Sequence, residues 1–263
     1  MKIDGQHVVV TGGSQGIGVY IASEFAIRGA KVTVLGRNAE RLRGVADDIG
    51  GSWLQLDLCE EGALSGAISE IEQCLGPVDV LINNAGAALV RDAGGYRSGE
   101  TKALVMVNAI APMELTRQVL PGMRSRGYGH IVNISSLAGI SAVPHLAIYG
   151  ASKAALHHYT AVVQRELAHD RVPVGLTLIT LGEVAGTHMM EAARQSPVIA
   201  AVSARLARAR ALPPVAPHTV ARAVASAVER NRPYVCVPRR IGPMIGLRNL
   251  PSRLQDLALL GLA

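Results

Sequence analysis

The sequence predicts an α/β fold, a doubly wound parallel sheet of about seven strands with helices on both faces. Short apolar runs alternate with longer segments whose apolar residues recur every three or four positions. The short runs show little polar alternation, which is typical of strands buried on both faces. No linker, repeat or low-complexity tract divides the 263 residues, so residues 1–263 are expected to form a single domain.

The same pattern gives the order of the elements. Strands are predicted at 7–11, 31–35, 52–56, 78–83, 130–135, 174–180 and 234–237. Helices are predicted at 16–28, 39–49, 60–75, 101–123, 147–169 and 216–229. The stretch 182–217 has no strand pattern and holds four prolines. A long connection at this point of an α/β fold is usually functional, so we expect a substrate lid there.

The last 26 residues, 238–263, also break the alternation. Ser252 and Gln255 fit a capping box that opens a short apolar helix. This helix is shorter than the about 20 residues that span a bilayer. Packing on another subunit is the favoured interpretation of this tail. A cover over the substrate pocket and contact with a membrane interface stay open.

Composition excludes several classes of protein. With 49% hydrophobic and 17% charged residues, the chain has the opposite balance to a disordered protein. The first residues lack the apolar core of a signal peptide. Three cysteines at wide spacing give neither a disulfide framework nor a metal pattern. We therefore expect a cytoplasmic protein with reduced thiols and no metal.

The net charge of +6 is uneven, because residues 191–263 hold 11 arginines and only 3 acidic residues. These arginines are scattered among alanines and leucines. The chain has one Trp and one Phe, whereas single-stranded nucleic acids are bound by aromatic platforms beside basic residues. A solvated or subunit-facing basic surface is favoured over a nucleic-acid site.

A glycine-rich loop, Thr11-Gly12-Gly13-Ser14-Gln15-Gly16-Ile17-Gly18, joins the first predicted strand to the first helix. Glycines allow a tight turn and a close approach to a pyrophosphate, and the helix start offers free N–H groups. The strand before it and the helix after it are the context that a dinucleotide site requires. The loop thus predicts a Rossmann-type fold.

This loop resembles that of the short-chain dehydrogenase/reductase family, in its shorter single-domain type. Two further motifs of that family are Asn83-Asn84-Ala85-Gly86 after the fourth strand and Tyr149-x-x-x-Lys153 on a helix. The resemblance extends from about residue 7 to about residue 180, beyond which it is loose. It implies a hydride transfer between a nicotinamide cofactor and a carbonyl or secondary alcohol. It also implies a homodimer or homotetramer.

Tyr149 and Lys153 are four residues apart and should share one face of their helix. A nearby ammonium favours the phenolate, so we expect a lowered Tyr149 pKa. The resemblance makes Tyr149 the proton donor or acceptor and Lys153 its tuner and ribose anchor. It also assigns Ser136 the orientation of the substrate oxygen and Asn108 a proton relay. Ser135 is expected to be satisfied by backbone.

The cofactor contacts implied by the resemblance extend beyond the loop. They are Gly12, Ser14, Gln15, Gly16, Ile17, Gly18, Arg37, Asp57, Leu58, Asn84, Ala85, Gly86, Tyr149, Lys153, Val184 and Thr187. Gly36 leaves no carboxylate at the end of the second strand, and Arg37 is suited to a 2′-phosphate. NADP(H) is therefore expected in preference to NAD(H).

The chain departs from the family pattern after the sixth strand. Leu181 stands where the family has proline, and Thr187 comes one position later than usual. This leaves the Thr187 contact with the cofactor in question, while Val184 can still offer backbone groups.

The Met- and Ala-rich composition of 186–211 favours an apolar substrate. Alternatives are reduction of a 3-oxoacyl thioester, a non-catalytic dinucleotide-binding sensor or scaffold, and a peripheral membrane protein held by the tail.

Overall fold

A computed structural model describes residues 1–208 and 213–244 of the chain. Its centre is one sheet of seven parallel strands in the order β3-β2-β1-β4-β5-β6-β7. The strands are β1 (His7–Thr11), β2 (Lys31–Gly36), β3 (Ser52–Gln55), β4 (Val80–Asn83), β5 (His130–Ser136), β6 (Gly175–Leu181) and β7 (Tyr234–Val237). The order reverses between β1 and β4, which is where open α/β sheets bind their ligands. The predicted fold class is confirmed.

Helices cover both faces of this sheet. They are α1 (Ile17–Ile27), α2 (Ala39–Ile49), α3 (Glu61–Leu64), α4 (Ala67–Leu75), α5 (Glu100–Val105), α6 (Ala111–Arg126), α7 (Ala147–His169), α8 (His188–Arg194), α9 (Pro197–Arg208), α10 (Pro217–Glu229) and α11 (Ile241–Met244). Alternate residues of β1 face opposite sides. Val8 and Val10 pack towards α1, α2 and α10, whereas Val9 packs towards α4, α6 and α7. All three valines are fully buried.

Two predicted helices are interrupted. The helix expected over 60–75 divides into α3 and α4 at Gly66, whose φ of 82° lies in the left-handed region. The helix expected over 101–123 begins as α5, passes through a π-helical turn at Met106–Ile110 and continues as α6. Pro112 has no N–H for the α-helical bond to the Asn108 carbonyl, which favours this irregular turn.

The segment 182–217 holds α8 and α9 but no named strand among its described residues. Of the tail, 238–244 is described and includes α11, while the capping box predicted at Ser252 and Gln255 lies outside the described residues. None of the helices in the described part of the chain is long and apolar enough to cross a membrane.

Candidate active site

The glycine loop forms a close contact between β1, α1 and the segment that follows β4. Gly12 has a φ of 67°, and a Cβ atom there would lie 2.9 Å from Ala85 Cα. A Cβ on Gly18 would overlap the Gly12 carbonyl oxygen. Gly16, with a φ of 57°, instead faces open space. The loop is therefore tightly packed at both ends and open in the middle.

Hydrogen bonds of Thr11 and Asn84 fix the glycine loop to the segment that follows β4. The Thr11 hydroxyl accepts hydrogen bonds from the N–H groups of Asn84 and Ala85, each at 3.0 Å, and donates to the Ile82 carbonyl. The Asn84 amide donates to the Thr11 carbonyl at 2.9 Å. The Asn84 side chain, which we expected among the cofactor contacts, thus holds the shape of the loop.

The open middle of the loop fits a dinucleotide pyrophosphate. Gly16 is the N-cap of α1 and provides no side-chain cap, so the first N–H groups of this 11-residue helix stay available. They and the positive end of the helix dipole favour an anion. Ser14, Gln15, Gly16, Ile17 and Gly18 would hold this part of the cofactor.

The end of β2 is basic. Arg37 is exposed, and its carbonyl accepts a hydrogen bond from the Gln55 amide at 2.9 Å. The Asn38 side chain caps α2 by accepting from the Arg41 N–H at 2.8 Å. The Arg41 guanidinium donates to Gln15 of the glycine loop at 3.0 Å. Arg41 therefore stands beside the loop, a position that our sequence reasoning missed although its place in the first turn of a helix was visible.

Asp57 and Leu58 follow β3, as expected for contacts near the adenine. The Asp57 carboxylate accepts a hydrogen bond from the Cys59 N–H at 2.9 Å, which fixes the turn. Leu58 is buried against the α4 and α6 face of the sheet.

Ser136, Tyr149 and Lys153 come together at the carboxyl end of β5. Ser136 is the last residue of this strand, and its hydroxyl accepts a hydrogen bond from the Ala138 N–H at 3.2 Å and lies near enough to the Tyr149 phenol to lower the pKa of that phenol. Tyr149 is the third residue of α7. Lys153, one turn further on, is 4% exposed, and its Nζ lies 6.0 Å from the centre of the Tyr149 ring.

The expected lowering of the Tyr149 pKa is wrong in this structure. Burial raises the pKa of Tyr149, and the hydrogen bond from Ser136 offsets part of this rise. Burial also lowers the pKa of Lys153, to about 8. The four-residue spacing does place both side chains on one face of α7. However, the Lys153 ammonium reaches back to the Ile134 carbonyl, to which it donates at 3.0 Å.

Asn108 lies in the π-helical turn and is fully buried. Its amide donates to the Ala87 carbonyl at 2.8 Å, and its Oδ1 accepts from the Ala87 N–H at 3.0 Å. A Cβ on Gly86 would lie 3.0 Å from Asn108 Oδ1 and 3.4 Å from Lys153 Nζ. Because Gly86 has no side chain, a narrow space stays open beside it, and Asn108 Oδ1 and Lys153 Nζ border this space.

Two further predictions concern single hydroxyl groups. The Ser135 hydroxyl donates to the Lys153 carbonyl at 3.4 Å, as expected of a serine satisfied by backbone. The Thr187 hydroxyl donates to the Val184 carbonyl at 3.1 Å and accepts from the Met190 N–H as the N-cap of α8. Its one proton is therefore committed within the protein, and its contact with the cofactor stays a prediction. No group of three metal-ligating side chains occurs in the described ranges.

A doubly wound sheet whose first strand leads through this loop defines a Rossmann-type dinucleotide-binding protein. The family model described as short chain dehydrogenase matches residues 6–197. Ketoacyl reductase HetN of Nostoc sp. is 34% identical over 241 residues, which are 89% of this chain and 79% of that protein. The chain belongs to the short-chain dehydrogenase/reductase family, and it is an NAD(P)-dependent oxidoreductase of that family.

Other relatives agree with this assignment. Dehydrogenase/reductase SDR family member 7B of Bos taurus is 35% identical over 188 residues, 67% of this chain, but the match spans only 57% of that longer protein. A putative NAD(P) dependent gluconate 5-dehydrogenase from Beutenbergia cavernae has a solved structure with NADP bound at low occupancy. It matches with a TM-score of 0.78 at 30% identity, covering 90% of this chain and 97% of that one.

Proposed function

We propose that this protein reduces a carbonyl compound with NADPH, or oxidises the corresponding secondary alcohol, with Tyr149 as the proton donor or acceptor. The observation that carries the proposal is that three groups lie together: Ser136 at the end of β5, the Tyr149 phenol whose pKa it lowers, and the Lys153 ammonium 6.0 Å from the centre of the Tyr149 ring. Nicotinamide supplies the hydride when it is bound, and the residues of the chain handle the proton.

Each residue has a chemical role in this proposal. Burial raises the pKa of Tyr149, so the phenol carries its proton at neutral pH and can donate it to a carbonyl oxygen. The Ser136 hydroxyl hydrogen-bonds the same oxygen as negative charge develops there. Lys153 anchors the ribose hydroxyls. Asn108 and Lys153 border the space beside Gly86. Through this space Tyr149 can regain the proton that it has donated to the substrate.

We infer a preference for NADP(H) from the end of β2. Gly36 places no carboxylate there, Arg37 follows as an exposed cation, and the Arg41 guanidinium donates to Gln15 of the glycine loop. A planar guanidinium suits a phosphate because it can donate two parallel hydrogen bonds. NADP bound to the Beutenbergia cavernae protein supports this preference.

We infer an apolar substrate from the composition of 186–211. A second candidate is reduction of a 3-oxoacyl thioester. It is favoured by the name of the HetN relative, a ketoacyl reductase that matches 89% of this chain.

The test is a screen of carbonyl reduction with NADPH, using apolar ketones and acetoacetyl thioesters, on the wild type and the Tyr149→Phe variant. We expect turnover that Tyr149→Phe lowers by at least about 100-fold, the lower end of a general acid's contribution. Tyr159→Phe is the matched control, because Tyr159 lies on the same helix but packs against the hydrophobic core that contains α4 and α6. Equal losses in both variants would contradict the role of Tyr149.

A further inference from the structure

A cleft of about 420 Å³ lies between α2, β3 and α4. β3 is an edge strand, and β2, β1 and β4 separate it from β5, the strand that carries Ser136. Since neighbouring strands are about 4.8 Å apart, β3 lies about 19 Å from β5. None of the residues that line the cleft belongs to the catalytic or cofactor-binding residues named above. The cleft is therefore separate from the candidate active site, and its volume is that of a small-molecule site.

Several side chains that line this cleft are apolar. They are Trp53 and Leu54 of β3 and Ile71 and Leu75 of α4. Trp53 and Leu54 are only partly buried, and Leu75 is 42% exposed. A ligand in the cleft would remove part of this apolar area from water, which stabilises a complex in proportion to the area covered.

The charged side chains of the cleft are all acidic. Asp47 of α2 and Glu70 of α4 line it from the two helices that border it, and no Lys, Arg or His lines it among the described residues. Within residues 1–208 and 213–244, neither carboxylate forms an ion pair. Asp47 also lies in the last turn of α2, where the helix dipole favours a cation. The charges of the cleft thus favour a cation and disfavour an anion.

The most deeply buried polar side chain of the cleft is an acceptor. Thr33 lines the cleft and is 1% exposed. His7 Nδ1 lies 2.9 Å from the Gly76 carbonyl oxygen, which can only accept, so this nitrogen carries the hydrogen. In the neutral imidazole Nε2 then accepts, and it lies 2.9 Å from the Thr33 hydroxyl, which donates to it. The Thr33 oxygen therefore has only lone pairs left for a ligand.

The Trp53 ring provides a surface that suits a cation. Tryptophan is the aromatic side chain that attracts cations most strongly. The Arg43 guanidinium stacks on this ring at 5.5 Å from its centre, but Arg43 does not line the cleft. The part of the cleft beside Trp53 is thus left for a ligand.

We propose that the cleft between α2, β3 and α4 binds a small organic amine in its protonated form. The ammonium group lies between Asp47 and Glu70, and the hydrocarbon body covers Trp53 and Leu75. An amine fits because the carboxylates and the Thr33 oxygen accept hydrogen bonds, while an ammonium group only donates them. This site does not depend on the proposed function, since it shares no residue with the candidate active site.

The first test is a fluorescence titration. Trp53 is the only tryptophan of the chain, so selective excitation of tryptophan reports on this cleft. The probe is phenethylamine, and phenethyl alcohol is the comparison, because it has the same body without the charge. We expect a saturable change of Trp53 emission with phenethylamine, and a dissociation constant about three- to tenfold lower than that of the alcohol. No saturable change, or equal dissociation constants, would overturn the proposal.

Two variants test the carboxylates. Asp47→Asn and Glu70→Gln should each raise the dissociation constant of phenethylamine by about two- to fivefold and leave that of the alcohol unchanged. Asp48→Asn is the matched control, because Asp48 is the next residue of α2, is exposed and does not line the cleft. An equal rise in Asp48→Asn would overturn the proposal, since any nearby charge would then act alike.

A salt titration keeps the test decisive if a variant does not fold. In the wild type, rising NaCl should weaken the binding of phenethylamine and leave the alcohol unaffected, because salt screens exposed charges. Equal responses of the two probes would overturn the proposal.

Cys74 gives a second readout of the place of binding. It is an exposed free thiol that lines the cleft, whereas Cys59 lies outside it. With phenethylamine at ten times its dissociation constant, alkylation of Cys74 by a maleimide at neutral pH should slow about tenfold. The rate at Cys59, followed by mass spectrometry in the same sample, should not change. Unprotected Cys74 would overturn the proposal.

These outcomes separate the two proposals. Binding of phenethylamine in the cleft of a protein that reduces no carbonyl compound would retain this site and reject the proposed function. A protein that reduces ketones but does not bind phenethylamine in the cleft would do the reverse.

Discussion

The Lys153 ammonium donates a hydrogen bond of 3.0 Å to the Ile134 carbonyl. This contact links α7 to β5 two residues before Ser136, so the strand that carries the serine and the helix that carries Tyr149 share a buried charged group. Because Lys153 is 4% exposed, burial lowers its pKa to about 8. The pKa of the Lys153 ammonium therefore lies close to neutral pH, so a small rise in pH removes its proton.

A pH dependence of cofactor binding follows from this pKa. Lys153 should be mostly charged at pH 7 and mostly neutral at pH 9, since its pKa in the folded protein is about 8. We expect the affinity for NADPH to fall as the pH rises through this value, because the neutral amine is a weaker donor to the ribose hydroxyls. Fluorescence titrations with NADPH between pH 6.5 and 9.5 measure this change in affinity.

The control for this experiment is Lys153→Arg, whose guanidinium keeps its charge throughout the range. Its affinity should be lower overall but nearly independent of pH. An equal decline in the wild type and in Lys153→Arg would assign the pH dependence to another group.

His130 predicts a loss of stability in acid. It is 2% exposed, its Nε2 lies 2.8 Å from the Thr177 hydroxyl, and burial lowers its pKa from 6.5 to about 4. The unfolded chain therefore binds a proton at this residue at a higher pH than the folded protein does. The free energy of unfolding should decrease as the pH falls from about 6.5 to about 4, in total by about 3 kcal/mol.

Urea unfolding at several pH values measures this slope. His130→Asn should be less stable than the wild type near neutral pH, and its stability should depend less on pH between about 6.5 and 4, so that the difference narrows in acid. His169→Asn is the control, because the side chain of His169 is 88% exposed. The same slope in wild type and His130→Asn would contradict the prediction.

Gly18→Ala should disrupt the cofactor loop. The added Cβ would overlap the Gly12 carbonyl oxygen and lie 2.8 Å from the Asn84 amide nitrogen, so the loop must shift. We expect a loss of thermal stability and a fall of at least about tenfold in dinucleotide affinity, since 1.4 kcal/mol of lost contact gives that factor.

Gly44→Ala is the matched substitution on α2, where a Cβ meets nothing within 4 Å. It should raise the free energy of unfolding by about 0.5–1 kcal/mol, because alanine is the better helix former. Differential scanning calorimetry and dinucleotide titration of both variants test the pair. Normal affinity in Gly18→Ala would show that the close contact is not needed.

The strands, the glycine loop and the Tyr149–Lys153 spacing could be predicted because each depends on residues close together in sequence. The direction of the Lys153 side chain could not, since a flexible chain of four methylenes ends wherever a tertiary partner lies. The π-helical turn at Asn108 had a local sequence signal, because Pro112 lacks an N–H for the α-helical hydrogen bond. The prediction of a continuous helix did not take this into account. The contact of Arg41 with Gln15 joins two different elements, so it could not be predicted before their arrangement in the fold was known.

That contact leads to the last prediction, the choice between NADPH and NADH. Arg41→Asp removes the guanidinium that donates to Gln15 and places a carboxylate near the site inferred for the 2′-phosphate. The dissociation constant for NADPH should rise by about 10- to 100-fold, which corresponds to one or two charge-assisted hydrogen bonds. That for NADH should change little, because NADH has no phosphate at this position. Arg37→Asp should act in the same direction.

Arg43→Asp is the control for this series. Arg43 lies on the same helix, but its guanidinium stacks 5.5 Å from the centre of the Trp53 ring, away from the glycine loop. Its substitution makes the same change in net charge as Arg41→Asp. If all three variants lose NADPH affinity equally, the preference depends on the overall positive charge of residues 37–43. If Arg43→Asp alone keeps the preference, Arg37 and Arg41 hold the phosphate directly.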